Sequence, residues 1–196
     1  MEFPLRFRFK LIAFAPQIYV TDATGRTISY IRQKLLRLKE KIDVFADDTR
    51  AQLVGTIQAD RMIDWSARYH FAAASGQTLG SVGRKGMRSL WRAYYEVSVG
   101  TATGPSFVIT EEKPFIKLLD GLIGGIPIIG IFSGYLLHPS YIATRPDGSA
   151  VMRLTKEPAF FEGRFRLDRL TELSAAEEAT LVFAFLMVNL LERQRG

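Results

Sequence analysis

The sequence predicts a mainly β domain whose strands close into an antiparallel barrel around one hydrophobic C-terminal helix. Three observations carry this: short apolar segments with period-two alternation, three hairpin-like runs that each turn at a glycine, and a final helical segment that is apolar on every face. The 196 residues make one domain, and 47% hydrophobic content with 12% aromatics supplies its core. Residues 1–196 are therefore read as a single unit.

From Phe3 onward, Phe3, Leu5, Phe7 and Phe9 alternate with Pro4, Arg6, Arg8 and Lys10, the pattern of a strand with one buried face. Three later stretches share one design, an apolar run, a turn ending in Gly and a second apolar run. They pass from Tyr19 through Gly25 to Ile28 and Ile31, from His70 through Gly76 to Leu79 and Val82, and from Ile142 through Gly148 to Val151 and Leu154. Glycine supplies the positive φ of a tight reversal, and Asp, Ser or Pro before it stabilises the turn. Aligned on their glycines, the three runs bring Ile28, Leu79 and Val151 into register, and likewise Ile31, Val82 and Leu154, which suggests an internal structural repeat. Further strands are expected at 42–46, 53–58, 94–99, 107–110 and 160–165.

Ser174 with Glu177 three residues on is a capping box, marking the start of the last helix. From 179 to 191 only Thr180 and Asn189 are polar, so this helix must be surrounded. Its apolar length rises about 20 Å, short of the roughly 30 Å hydrocarbon layer, which favours protein as the surround. Inside a barrel, the tail beginning at Glu192 and Arg193 would emerge at the rim.

The segment 118–137 is long enough to span a bilayer and is flanked by Lys113 and Lys117. Asp120, Pro127 and glycines at 121, 124, 125, 130 and 134 oppose that reading. A crossing would also strand the Gly148 hairpin on the far side of the membrane from the other two. Two short helices forming a cap around 114–137 are expected instead, and no transmembrane span.

The stretches 59–69, 83–97 and 157–165 resemble the tubby-like C-terminal superfamily, and bacterial LURP-one-related proteins most of all. They include Asp60-Arg61-Met62-Ile63-Asp64-Trp65, Gly83-Arg84-Lys85-Gly86-Met87-Arg88 with Trp91 and Tyr94-Tyr95-Glu96-Val97, and Phe160-Phe161-Glu162-Gly163-Arg164-Phe165. The resemblance implies a barrel of about twelve strands around a central hydrophobic helix. It implies much less about function: in the superfamily, tubby proteins bind phosphoinositides through basic residues and the related phospholipid scramblases are associated with lipid movement and calcium. This chain has no cysteine cluster for acylation and no acidic loop of calcium-binding type, so neither specific role maps onto its residues.

The absence of cysteine removes disulfides, thiolate nucleophiles and thiolate metal sites, and fits a reducing compartment. Arg6, Arg8 and Lys10 interrupt the apolar run an export signal needs, so a cytoplasmic protein, peripheral to the membrane at most, is expected. A net charge of +6 favours phosphate-bearing partners. The strongest candidate for anion or lipid-headgroup binding is Arg84, Lys85, Arg88 and Arg92, interleaved with Trp91, Tyr94 and Tyr95. The competing reading is a solvated loop whose Trp91 plugs the core. A second basic run, Arg32, Lys34, Arg37, Lys39 and Lys41, surrounds Leu35, Leu36 and Leu38, and reads as an edge strand guarded by lysine more readily than as a membrane-binding surface.

Catalytic signals are thin. His70 and His138 have no partner at metal spacing, Asp60 and Asp64 are simplest as ion-pair partners of Arg61 and Arg68, and the 121–125 glycines lack the Lys-Ser/Thr of a phosphate loop. No metal, cofactor or catalytic residue is expected, and nucleic acid is not an expected partner. The sequence thus points to a non-enzymatic module that binds lipid or anion and docks reversibly on the inner membrane surface. The alternative is a soluble scaffold that holds a protein partner through the apolar 114–137 segment.

Overall fold

A computed structural model describes residues 1–10, 17–32, 41–60, 67–85, 93–112, 140–159 and 162–193. Among these residues, twelve antiparallel strands close into a barrel around one helix, as the sequence predicts. The strands are β1 (Leu5–Lys10), β2 (Gln17–Thr21), β3 (Thr27–Arg32), β4 (Lys41–Phe45), β5 (Leu53–Ala59), β6 (Arg68–Ala73), β7 (Thr78–Arg84), β8 (Tyr94–Val99), β9 (Phe107–Glu111), β10 (Ser140–Thr144), β11 (Ala150–Glu157) and β12 (Glu162–Arg169), followed by α1 (Ala175–Arg193). Each strand pairs with its neighbours in the chain, and β1 meets β12 to complete the circle. One seam is thin: among the described residues, β3 and β4 share the single pair Tyr30 and Phe45.

Period-two alternation builds the wall. Leu5, Phe7 and Phe9 are buried while Arg6 and Arg8 stay exposed, and the strand begins at Leu5, two residues later than the pattern suggests. Phe9 meets Phe165 edge-on across the closure, with ring centroids 5.5 Å apart. The β4, β5, β8 and β9 expectations hold to within a residue or two at either end. β12 lies further along than 160–165, because Arg164, Arg166 and Asp168 keep alternating with Phe165 and Leu167.

The β2–β3, β6–β7 and β10–β11 turns are one backbone design built three times. Gly25, Gly76 and Gly148 stand at φ of 85°, 85° and 87°, and each ladder carries a bulge beside the turn. Each glycine N–H donates at 2.9 Å to the carbonyl three residues back, on Asp22, Ala73 and Arg145. A Cβ at any of the three would meet nothing within 4 Å, so conformation and not crowding selects glycine there.

The capping box forms as expected, with the Glu177 N–H donating to Ser174 Oγ at 3.3 Å and the Ser174 N–H donating to Glu177 Oε2 at 2.9 Å. Every residue from 180 to 190 is buried inside the strand cylinder. The helix backbone runs nearest β7 and β8, and Phe183 packs on Phe71 of β6 with centroids 5.7 Å apart. The Thr180 hydroxyl is within hydrogen-bond reach of the Leu79 and Ala176 carbonyls, which satisfies one of the two polar groups in the apolar stretch. No described helix is long and apolar enough to cross a membrane.

Arg145 ties the third hairpin to the helix start, its Nη1 donating to Glu177 Oε1 at 2.7 Å. That hydrogen bond holds the Glu177 carboxyl below the usual carboxylate range against its partial burial. The carboxyl therefore loses its proton more readily folded than unfolded. Its contribution is complete above the unfolded pKa of about 4.3 and disappears as pH falls through the lower folded value. Thermal melts of Glu177→Gln should show a deficit of about 1 kcal/mol at pH 7, a Tm loss of ~2–4 °C, with the wild-type and variant melts converging toward pH 3.

Candidate functional site

The two ends of the barrel are made of different residues. At one end, turns 22–26, 46–52, 74–77, 100–106 and 145–149 contain no leucine, isoleucine, valine, methionine or aromatic residue, while the chain start and the link to the helix bring exposed Met1 and Leu170 beside them. Strands β1, β3, β5, β7, β9 and β11 run out at the other end, and the connections that follow them in sequence, 11–16, 33–40, 61–66, 86–92, 113–139 and 160–161, lie outside the described residues. By sequence, these connections carry both tryptophans, Trp65 and Trp91, the leucines 35, 36 and 38, Phe160, Phe161 and the apolar 118–137 run. They also carry eight lysines and arginines (34, 37, 39, 61, 88, 92, 113 and 117) against three acidic residues (40, 64 and 120). The helix C-terminus comes out at this second end.

Just inside that end, the described residues converge into a polar cluster. Arg84 closes β7 on the inner face, Tyr95 lies beside it on β8, and Glu192 comes from the last turn of α1. Arg84 Nη2 donates to Glu192 Oε1 at 2.7 Å and the Tyr95 hydroxyl donates to the same oxygen at 2.6 Å. The Arg84 guanidinium carbon stands 5.3 Å from the Tyr95 ring centroid. Arg84 and Glu192 side chains are only 10% and 9% exposed, so the pair is largely desolvated.

Tyr69, Tyr141 and Glu111 are buried at the same end, with Tyr141 opposite Glu111 in the β9–β10 register. Burial, reinforced by the Glu192 charge and hydrogen bond, pushes the Tyr95 phenol far above its ordinary range, and burial with the Asp60 charge raises Tyr69. The Tyr95 phenol thus stays protonated and donates to Glu192. Asn189, one turn before Glu192, is 2% exposed, and its amide nitrogen has no hydrogen-bond partner among the described residues. The arrangement locks the end of the helix to β7 and β8. Among the described residues no three His, Asp or Glu side chains converge to hold a metal ion.

The four basic candidates separate. Arg84 points inward and is committed to Glu192, whereas Lys85 is exposed and pairs with Glu96 at 2.6 Å. Arg88 and Arg92 lie outside the described residues, as do His138, the 114–137 cap and Lys34, Arg37 and Lys39 of the second basic run. Arg32 is exposed, and Lys41 pairs with Asp43 at 3.6 Å. His70 is exposed on the outer wall. Asp60 accepts the backbone N–H of Arg68 at 3.0 Å, while the Arg68 guanidinium turns to the Ser81 hydroxyl at 3.1 Å.

Glu192 is a correction to the solvated tail expected at the rim: it is the buried counter-ion of Arg84, because the helix is long enough to bring its last turn against β7. The spacing of Asn189 and Glu192, three apart at the end of a helix that is otherwise apolar from 181 to 191, is the signal that marks them as one polar face. Glu111 shares the inward parity of Phe107 and Ile109, a second signal of the same kind.

No family model matches the chain. No curated protein sequence matches it either. In fold it is similar to an X-ray structure of a protein from Arabidopsis thaliana, with a TM-score of 0.53 and 10% sequence identity over 97% of this chain and 92% of that one. At that identity the likeness is one of fold alone.

Proposed function

We propose that this protein is a non-enzymatic module that docks reversibly on the anionic inner surface of a membrane through the barrel end from which the helix C-terminus emerges. The observation that carries this reading is the partition of residues between the two ends. Tryptophan, leucine and phenylalanine interleaved with an excess of lysine and arginine is the composition that anchors a surface in the headgroup layer. The hairpin turns of the opposite end are polar, although Met1 and Leu170 are exposed beside them. Lys85, Arg88 and Arg92 supply the headgroup charge, while Arg84 braces the docking end from within by holding Glu192. Resemblance to LURP-one-related proteins supports the same reading, and membership of that tubby-like family is part of the proposal.

Co-sedimentation with phosphatidylserine vesicles tests it. Binding should fall at least tenfold between about 0.05 and 0.3 M salt, and by a similar factor when Lys85, Arg88 and Arg92 are all changed to Glu, since each basic residue near such a surface contributes about 1 kcal/mol. Unchanged binding in that triple variant sinks the headgroup role. The scaffold alternative takes its support from the apolar 118–137 sequence at the same end. It requires that Leu118→Asp with Ile128→Asp abolish capture of a protein partner while the charge reversals leave it intact.

A further inference from the structure

An apolar helix inside an apolar cylinder has more than one place to rest. Burial free energy follows the area removed from water and has no direction, so turning α1 about its axis exchanges one Leu, Val, Phe or Met for another and leaves side-chain fit as the only restraint. The polar contacts of the helix with the wall lie at the two ends of this stretch. Near its start, the Thr180 hydroxyl reaches the Leu79 carbonyl at the beginning of β7. Near its end, Glu192 accepts from Arg84, the last residue of β7, and from Tyr95 of β8. Twelve positions separate Thr180 from Glu192, about 18 Å along the helix axis and about 120° around it. Two contacts so placed determine both how far in the helix sits and at what angle.

Stability does not account for these groups. The Leu79 carbonyl already accepts the Gly100 N–H at 2.8 Å, so it does not depend on the Thr180 hydroxyl. The Arg84 and Glu192 pair is largely desolvated, and a buried ion pair often stabilises a fold no more than apolar residues of the same volume. At the helix start, Arg145 and Arg169 hold Glu177 and Glu178 at 2.7 and 3.0 Å, but these long side chains are partly open to solvent and can follow a turned helix. We propose that Thr180, Arg84, Tyr95 and Glu192 form an orienting lock: they select one rotation and one depth of α1 within the barrel, and they are retained for that selection with no gain in stability over an apolar interior. A buried polar residue that fixes the register of packed helices acts by the same principle. The inference rests on the fold alone and holds whether or not this barrel end meets a membrane.

Amide NMR spectra and urea denaturation of the full chain provide the test, with Thr180→Val, Arg84→Met, Tyr95→Phe and Glu192→Leu combined. The combined variant should keep its far-UV helix signal and a urea midpoint no lower than wild type. Its amide peaks from 180–192, β7 and β8, a single set in the wild type, should split into two or more sets or broaden. One sharp set in the combined variant overturns the proposal, since packing alone would then orient the helix. A lower midpoint overturns it as well, because the polar groups would then be kept for stability. Thr180→Val alone covers the case in which the combined variant does not fold. It should hold the wild-type midpoint, and a fall there shows that the hydroxyl stabilises the fold and sinks the claim.

Discussion

Arg84→Met is expected to destabilise the fold by about 3–5 kcal/mol in urea denaturation at neutral pH, because it removes the guanidinium charge held against the largely desolvated Glu192 carboxylate. Methionine preserves most of the volume, so the loss reports charge and not packing. Adding Glu192→Gln should recover most of it, since a neutral amide still accepts from the Tyr95 hydroxyl and needs no cation. The two substitutions together should therefore cost well under the sum of their separate effects. Equal and additive losses would show that Arg84 acts through contacts other than Glu192. The same result separates interior from surface roles in the basic run: Arg84 governs stability, and Lys85 does not.

Gly80→Ala should cost about 3 kcal/mol for a different reason. Gly80 lies in β7 at φ of 150°, where a Cβ would stand 2.2 Å from the Ser98 carbonyl oxygen and 2.7 Å from Thr180 Cγ2 on the helix. Backbone strain and overpacking each contribute roughly 1–3 kcal/mol in such positions. Adding Thr180→Ser removes the methyl but leaves the carbonyl in the way, so it should restore only a minor part. Gly76→Ala is the control. Its φ is similarly positive but its surroundings are open, and it should cost only about 1 kcal/mol by the same denaturation measurement. Gly80 is thus set by its backbone conformation and by close contact with both the Ser98 carbonyl and the helix.

Local signals made much of the fold legible. The hairpins announced themselves because a positive-φ glycine between apolar runs has few alternatives, and all three observed turns share one hydrogen-bond pattern. Ser174 and Glu177 marked the helix start for the same kind of reason, a requirement satisfied within four residues. Closure of β1 on β12 was not readable in this way, since it pairs residues more than 150 positions apart. In the cation cluster, four charges in nine residues look like one face. Strand parity told otherwise for Arg84, which follows Gly80 and Val82 on the inner side of β7 while Lys85 falls outside.

The thin join between β3 and β4 gives the cylinder the mechanics of a split ring. Among the described residues, eleven seams are laced along several residue pairs and the twelfth by the single pair Tyr30 and Phe45, so local opening is expected to start at that seam. Such a slit invites a foreign strand to zip in. The outward charges of Arg32, Lys41 and Asp43 stand along its margins, and any intruding chain would have to strip water from them before it could pair.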